Sequence, residues 1–117
     1  MKVIGTGSIT LNISAQGELR VVNSIQDVIS LWKEGAVGKI AVVEEAGTTT
    51  LGPVLSKLAG VVCKTGGIGS HLAIVSREFS IPALMGTKIK TDESLHKKRA
   101  IIRPNGNGEG LLLLSDF

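Results

Sequence analysis

Residues 64–77 read KTGGIGSHLAIVSR, and this stretch decides how the chain is interpreted. Three glycines lie in the four positions before Ser70, and an apolar helical pattern begins directly after it. Glycine lets a backbone approach a ligand closely and permits positive φ angles. The first turn of a helix has free N–H groups and the positive end of the helix dipole. The stretch therefore predicts an anion-binding site, for which phosphate is the usual ligand.

His71 stands in the first turn of the predicted helix. The helix dipole favours an uncharged imidazole there, and it also stabilises a negatively charged group attached to the ring. Histidine can act as a covalent nucleophile, so the local pattern points to a phosphohistidine. The candidate phosphate-binding groups are the backbone N–H groups of Gly66, Gly67 and Gly69 and the hydroxyls of Thr65 and Ser70.

Local spacing leaves simpler explanations open. A glycine-rich turn before a helix is often only a tight connection, and capping of the helix explains Ser70 as well as phosphate contact does. Arg77 lies roughly 120° around the helix from His71 and about 9 Å along it, which favours a structural ion pair over a phosphate clamp. The G-G-x-G spacing fits neither a Walker P-loop nor a dinucleotide fingerprint. No pair of residues has metal-ligand spacing, so we predict no metal site.

The whole chain, residues 1–117, is predicted to form one α/β domain. Its 117 residues, of which 43% are apolar, suit a single hydrophobic core. Strands come first, strand and helix then alternate, and strands close the chain. This order predicts a central mixed sheet with helices on one side and a smaller β-layer.

Local signals assign the individual elements. Residues 8–14 and 17–23 alternate apolar and polar side chains around a short turn, which predicts an N-terminal hairpin. Apolar runs predict buried strands at residues 39–43, 61–63 and 81–86, and two closing strands at 100–103 and 111–114. Helices are predicted after Ser24, near Pro53 after a Thr50 cap, and after Ser70. Their expected buried residues are Ile25, Val28, Ile29 and Trp32, then Val54, Leu55 and Leu58, then Leu72, Val75 and Phe79.

Composition argues against several classes of function. The net charge is +3, and the densest basic run, residues 96–99, has no interleaved aromatic residue. A solvated surface therefore explains the run, which includes His96, better than nucleic-acid binding does. No apolar run approaches the roughly 18 residues that span a bilayer. The lone cysteine, Cys63, excludes an internal disulfide, so we expect a reduced, cytoplasmic setting.

A longer stretch, residues 60–87, resembles the mobile phosphohistidine domain of the PEP-utilising enzymes. The family pattern is Gly-Gly, two residues, Ser-His, an apolar helix with Ala-Ile and Arg-Glu, then Ile-Pro-Ala and Gly-Thr. The chain departs from common family residues at Cys63, Thr65 and Leu72. The positions that match the pattern are Gly66, Gly67, Ser70, His71, Ala73, Ile74, Arg77, Glu78, Ile81, Pro82, Ala83, Gly86 and Thr87.

The resemblance implies a swivelling β/β/α fold and a phosphoryl-carrier role, in which His71 is the phosphorylated residue. It implies an ATP-grasp nucleotide-binding partner and an acceptor of the PEP or pyruvate type. ATP and Mg²⁺ are expected on the partner, with no cofactor bound by this domain. The chain would then be a phosphotransferase component and not a complete enzyme. The alternative is a non-catalytic anion-binding or regulatory module of the same fold.

Overall fold

The structure is a computed structural model that describes residues 2–45, 51–91 and 94–115. Within these ranges the helices and strands follow the predicted order, except that a 3₁₀ turn stands where the second helix was predicted. They are β1 (Lys2–Ile9), β2 (Ala15–Val21), α1 (Ile25–Glu34), β3 (Lys39–Val43), a 3₁₀ turn (Leu55–Lys57), β4 (Gly60–Cys63), α2 (His71–Glu78), β5 (Ala83–Ile89), β6 (Arg99–Pro104) and β7 (Glu109–Leu114).

The strands form one closed sheet in the order β1-β5-β4-β3-β2-β6-β7, and β7 returns to β1. Strands β2, β3, β4 and β5 pair in parallel, whereas the other pairings are antiparallel. The mixed sheet is therefore confirmed. The expected smaller β-layer is not a separate sheet, because β1 bonds to both β5 and β7 and joins the two walls into one barrel.

Alternating residues of the parallel strands face two apolar cores. Ile40, Val42 and Val62 point into the cluster that fills the barrel. Ala41, Val43, Val61 and Cys63 point the other way, into a cluster that also contains the buried residues of α1 and α2. Successive side chains of a strand alternate between faces, so a strand buried on both faces reads as a continuous apolar run. Both helices thus cover the same outer side of the parallel strands.

Both helix starts are confirmed, but their buried faces differ from the predicted stripes. In α1 the buried residues are Val28 and Leu31, while Ile25 and Trp32 are 68% and 59% exposed. In α2 the small residues Ala73 and Ser76 are buried beside Leu72, Val75 is half-buried and Phe79 is exposed. Small side chains let α2 lie close to the sheet, which turns the bulky Phe79 outward.

The predicted N-terminal hairpin is wrong. Strand β1 ends at Ile9 and pairs with β5 and β7, whereas β2 pairs with β3 and β6. Barrel closure thus gives the two strands separate partners. The second predicted helix is only a 3₁₀ turn, because Gly60 must begin β4 opposite Ile40. Its apolar residues are nevertheless buried, and the Thr50 cap lies outside the described residues.

The closing hairpin is confirmed by the pairing of β6 with β7, from Ala100 opposite Leu114 to Pro104 opposite Gly110. The Asn105 N–H donates to the Glu109 carbonyl at 3.0 Å and closes the turn. Among the described helices, none is long and apolar enough to cross a membrane. His96 is exposed, as predicted, and its Nδ1 accepts a hydrogen bond from the Val21 N–H at 3.1 Å.

Candidate functional site

The glycine-rich loop leaves the carboxyl end of β4, which lies between the parallel strands β3 and β5. Cys63 ends β4, the loop covers residues 64–69, and Ser70 introduces α2. In open α/β sheets, ligands bind at the carboxyl ends of parallel strands. The same edge of this barrel therefore presents the loop that the sequence singled out.

His71 is the first residue of α2, and its side chain is exposed. Ser70 is the N-cap in extended conformation, with φ −72° and ψ 162°, and its Oγ accepts a hydrogen bond from the Ala73 N–H at 3.4 Å. The capping role of Ser70 is thus present in the structure, and its hydroxyl hydrogen is still available to another acceptor. The first turn contains no acidic residue.

Four backbone N–H groups at the start of α2 fall into two pairs. The Ser70 N–H donates to the Gly67 carbonyl, and the Ile74 N–H donates to the Ser70 carbonyl, both at 3.0 Å. The N–H groups of His71 and Leu72 have no hydrogen-bond acceptor within the part of the chain that the structure describes. Such groups point out of the start of a helix. They are the groups that an anion bound beside His71 would meet.

Side-chain contacts tether the loop at both ends. The Thr65 Oγ1 donates to the Glu44 carbonyl at 2.7 Å, and Lys64 Nζ pairs with the Glu44 carboxylate at 3.0 Å. At the other end, Arg77 Nη2 donates to the Ile68 carbonyl at 2.7 Å. The hydroxyl hydrogen of Thr65 is therefore used within the protein. The predicted ion pair of Arg77 is replaced by this bond to the loop backbone.

The loop glycines differ in backbone conformation and in the space around them. Gly66 has φ +77°, a left-handed conformation that side chains disfavour. A Cβ atom built on Gly67 or Gly69 would meet no atom within 4 Å among the described residues. Packing among the described residues therefore does not require glycine at 67 or 69.

Glu44 and Gly86 lie against the loop, but neither residue was given a role at the site from the sequence. Glu44 follows β3, and a Cβ atom at Gly86 of β5 would lie 3.1 Å from the Gly66 carbonyl oxygen. The available signal was the parallel order of strands, because the carboxyl ends of neighbouring parallel strands lie side by side. That signal needs the strand order, which the sequence alone did not provide.

Cys63 is buried under the loop, and burial raises the pKa of its thiol, although hydrogen bonds from Thr65 act in the opposite direction. A raised pKa lowers the thiolate fraction, and the thiolate is the reactive form. The thiol is therefore part of the core, as predicted. No group of three His, Cys, Asp or Glu side chains suited to a metal ion occurs among the described residues.

The chain is similar in sequence to known proteins over more than half of its length. Residues 35–105 match the family described as PEP-utilising enzyme, mobile domain. A probable phosphoenolpyruvate synthase of Archaeoglobus fulgidus is 36% identical over 77 residues, which cover 66% of this chain and 10% of the relative. A phosphoenolpyruvate synthase of Aquifex aeolicus is 50% identical over 48 residues, or 37% of this chain and 6% of the relative.

A relative that is not named a phosphoenolpyruvate synthase is similar to the chain as well. The chondramide synthase of Chondromyces crocatus is 36% identical over 77 residues, again 66% of this chain but 2% of the relative. The chain thus spans about a tenth or less of these three proteins, and most of each relative lies outside the matched segment. The family match covers the loop, His71 and both of its neighbouring strands, and the chain belongs to the PEP-utilising enzyme mobile-domain family.

Proposed function

We propose that this domain is a phosphoryl carrier and that His71 holds the phosphoryl group. The observation that carries the proposal is the start of α2. There an exposed imidazole lies beside two amide N–H groups that have no acceptor among the described residues, in a first turn free of acidic residues. The family match over residues 35–105 and the similarity to phosphoenolpyruvate synthases favour this reading of an otherwise general anion site.

The proposed chemistry needs little from this domain beyond position and charge. A ring nitrogen of His71 attacks the phosphorus of a donor, the N–P bond forms and the P–O bond to the leaving phosphate breaks. The amide N–H groups of His71 and Leu72 then stabilise the negative oxygens of the bound group. In a second transfer an acceptor oxygen attacks the same phosphorus and His71 leaves, so the domain returns to its starting state.

Partners would supply the remaining groups. Phosphoryl transfer from a nucleotide depends on metal ions that neutralise the developing charge. We expect ATP and Mg²⁺ on an ATP-grasp protein or domain, and an acceptor of the PEP or pyruvate type on another. A cytoplasmic location remains a prediction. Because the chain spans a small fraction of its relatives, the donor and acceptor are part of the proposal.

Incubation with an ATP-grasp partner, ATP and Mg²⁺ tests the proposal. We expect the chain to gain one phosphoryl group that is labile in acid and stable in base. The chain has two histidines, which provides a matched control. His71→Ala should abolish the modification, whereas His96→Ala should retain it. Intact-mass spectrometry before and after acid treatment measures both.

An unmodified wild-type chain, mixed with a partner that phosphorylates another domain of this family, would contradict the carrier function. The alternative, an anion-binding or regulatory module, then makes a separate prediction. Inorganic phosphate should shift the amide NMR resonances of the loop and of His71 and Leu72 in that unmodified protein.

A further inference from the structure

A bulge in β5 lies directly behind the glycine-rich loop. Opposite β1, Thr6 pairs with Lys88 and Ser8 pairs with Met85, so the register changes between them. Gly7 of β1 therefore faces two residues of β5, Gly86 and Thr87. An extra residue in one strand is a β-bulge, which kinks that strand and can redirect its backbone.

Gly86 brings the bulge into contact with the loop. Its φ of +59° is left-handed, and a Cβ atom built on it would lie 3.1 Å from the Gly66 carbonyl oxygen. On the other side, a Cβ atom on Gly7 would lie 2.6 Å from the Met85 carbonyl oxygen and 3.1 Å from Thr87 Oγ1. The backbones of β1, β5 and the loop thus approach one another where none of Gly7, Gly86 and Gly66 has a side chain.

Thr87 stabilises the bulge from within the barrel wall. Its side chain is buried, and its Oγ1 donates to the Leu84 carbonyl at 2.8 Å. A buried hydrogen bond of this kind is costly to break because the acceptor would be left without a partner. The bulge is therefore a fixed part of the barrel, and the loop rests on it at Gly66.

The next residues of the loop have no such support. A Cβ atom at Gly67 or Gly69 would meet nothing within 4 Å in the described parts of the chain. The loop approaches the bulge at Gly66 and is bonded at Ile68 by Arg77, at 2.7 Å. A displacement of the Gly66 contact would consequently move the backbone that leads into His71.

We propose that the β5 bulge at Gly86 fixes the position of the glycine-rich loop and that Gly86 is a positioning residue for phosphorylation of His71. The effect on phosphorylation rests on the proposed carrier function, whereas the effect on the loop does not. The orientation of amide donors toward a phosphoryl group sets how well they stabilise it. A side chain at 86 would push the Gly66 carbonyl away and turn these donors from the ring.

The test compares Gly86→Ala with Gly108→Ala. Gly108 also has a left-handed backbone, φ +78°, but a Cβ atom there would meet nothing within 4 Å of the described residues. Both variants place alanine in a strained left-handed conformation, so both should lose thermal stability, and Gly86→Ala adds the close approach to the Gly66 carbonyl oxygen. Only Gly86→Ala should shift the amide NMR resonances of residues 66–72.

Chemical phosphorylation with phosphoramidate measures the effect on His71 without a protein partner. We expect Gly86→Ala to slow phosphorylation, or to speed hydrolysis of the phosphohistidine, by roughly tenfold, because small misplacements of reacting groups have effects of this size. Gly108→Ala should match the wild type in both rates. Thr87→Val removes the bond to Leu84 but keeps the side-chain shape, and should shift the same loop resonances less, whereas Thr87→Ser should restore them.

Unchanged loop resonances in folded Gly86→Ala would overturn the inference, and so would equal changes in Gly108→Ala. If Gly86→Ala does not fold, the Thr87→Val and Thr87→Ser pair decides it by the same resonances. If phosphoramidate and the ATP-grasp partner both fail to modify the wild type, the carrier function fails. The loop resonances alone then still decide whether the bulge fixes the position of the loop.

Discussion

The two helices of this domain begin in the same way and then differ three residues later. The Ser24 Oγ accepts from the Asp27 N–H at 3.3 Å, and the Asp27 carboxylate accepts from the Asn23 N–H at 2.8 Å. The start of α1 is therefore closed by its own carboxylate, in a variant of the capping box in which the carboxylate bonds the N–H of the residue before the cap. In α2, the Ser70 Oγ accepts from the Ala73 N–H in the same way, but alanine has no side-chain oxygen that could accept a second hydrogen bond.

The difference separates a structural helix start from a candidate anion site. In α1 the carboxylate of Asp27 occupies the positive end of the helix dipole, so an added anion would be repelled. In α2 the corresponding position is apolar and buried, and the exposed His71 stands where α1 has Ile25. A serine cap alone therefore says nothing about function. The absence of an internal anion in the first turn is the informative feature.

The largest effect is expected when a carboxylate is placed beside the start of α2. Gly69 is exposed and a Cβ atom there would meet no described residue within 4 Å, so Gly69→Asp should fold. Repulsion between this carboxylate and the phosphoryl group, about 1.4 kcal/mol at close range near a surface, should slow phosphorylation of His71 roughly tenfold.

Gly69→Asn has nearly the same shape and no charge, and it is the matched control. The rates come from single-turnover phosphorylation followed by mass spectrometry. Equal rates in the Asp and Asn variants would contradict an electrostatic role for this helix start.

The two serine caps provide the second comparison. Ser24→Ala and Ser70→Ala each remove a cap, and each should lower the free energy of unfolding by about 1 kcal/mol. Only Ser70→Ala should also slow phosphorylation of His71, because it loosens the turn that carries the ring. Urea denaturation and the phosphorylation assay measure the two effects. A slower rate in Ser24→Ala would show that the assay reports stability and not the site.

A smaller effect is expected from the buried face of α2. Ser76 is fully buried and its Oγ has no hydrogen-bond partner among the described residues, whereas α1 buries Val28 and Leu31. Ser76→Ala should raise the free energy of unfolding, because an unpaired buried hydroxyl is costly. Ser30→Ala, on the exposed side of α1, controls for helix propensity. We expect Ser76→Ala to exceed it by roughly 0.5 kcal/mol in urea denaturation, and equal values would mean that the hydroxyl is satisfied.

The smallest effect concerns the far end of α1, where Arg20 pairs with Glu34 at 2.9 Å and with Glu18. Hydrogen bonds from Arg20 lower the pKa of both carboxyls below their usual 4.5, against a smaller opposing effect of burial. A lowered folded-state pKa stabilises the fold above the unfolded-state pKa, and this contribution is lost as pH falls through the folded-state values.

Stability of the wild type should therefore fall as pH decreases below about 4.5, and Arg20→Met should show a shallower fall. Arg103→Met, at an exposed position, is the control and should follow the wild type. Urea midpoints between neutral and acid pH measure the slopes. Parallel slopes for Arg20→Met and wild type would contradict the assigned pairs.

Elements set by interactions between residues close in the chain were the ones predicted correctly from the sequence. Both serine-capped helix starts were predicted, because a cap bonds residues three positions apart in the chain. The strand predicted at residues 61–63 is β4, because burial on both of its faces produces a continuous apolar run. The two closing strands were also predicted, although only alternate residues of β6 are buried. The helix faces were less accurate. Exposed Ile25 and Trp32 fit the apolar spacing as well as Val28 does, and only contact with the sheet chose among them.

The wrong elements depended on distant partners. Residues 8–14 have strand-like alternation, yet β1 is Lys2–Ile9 because its partners β5 and β7 are in register there. The segment after Pro53 has helical spacing, yet it must deliver Gly60 into register with Ile40. In both cases pairing with a distant strand outweighed the local pattern, as tertiary context generally overrides propensity.

The sequence by itself determined the serine caps, the glycine-rich loop, the position of His71 at the start of α2 and the family to which these residues belong. Each depends on residues that are close together in the chain and on local backbone chemistry. The tertiary structure decided the barrel closure, the contact of Thr65 with Glu44 and the approach of Gly86 to Gly66. These contacts join residues that are distant in the chain, so they exist only after the strand order is set.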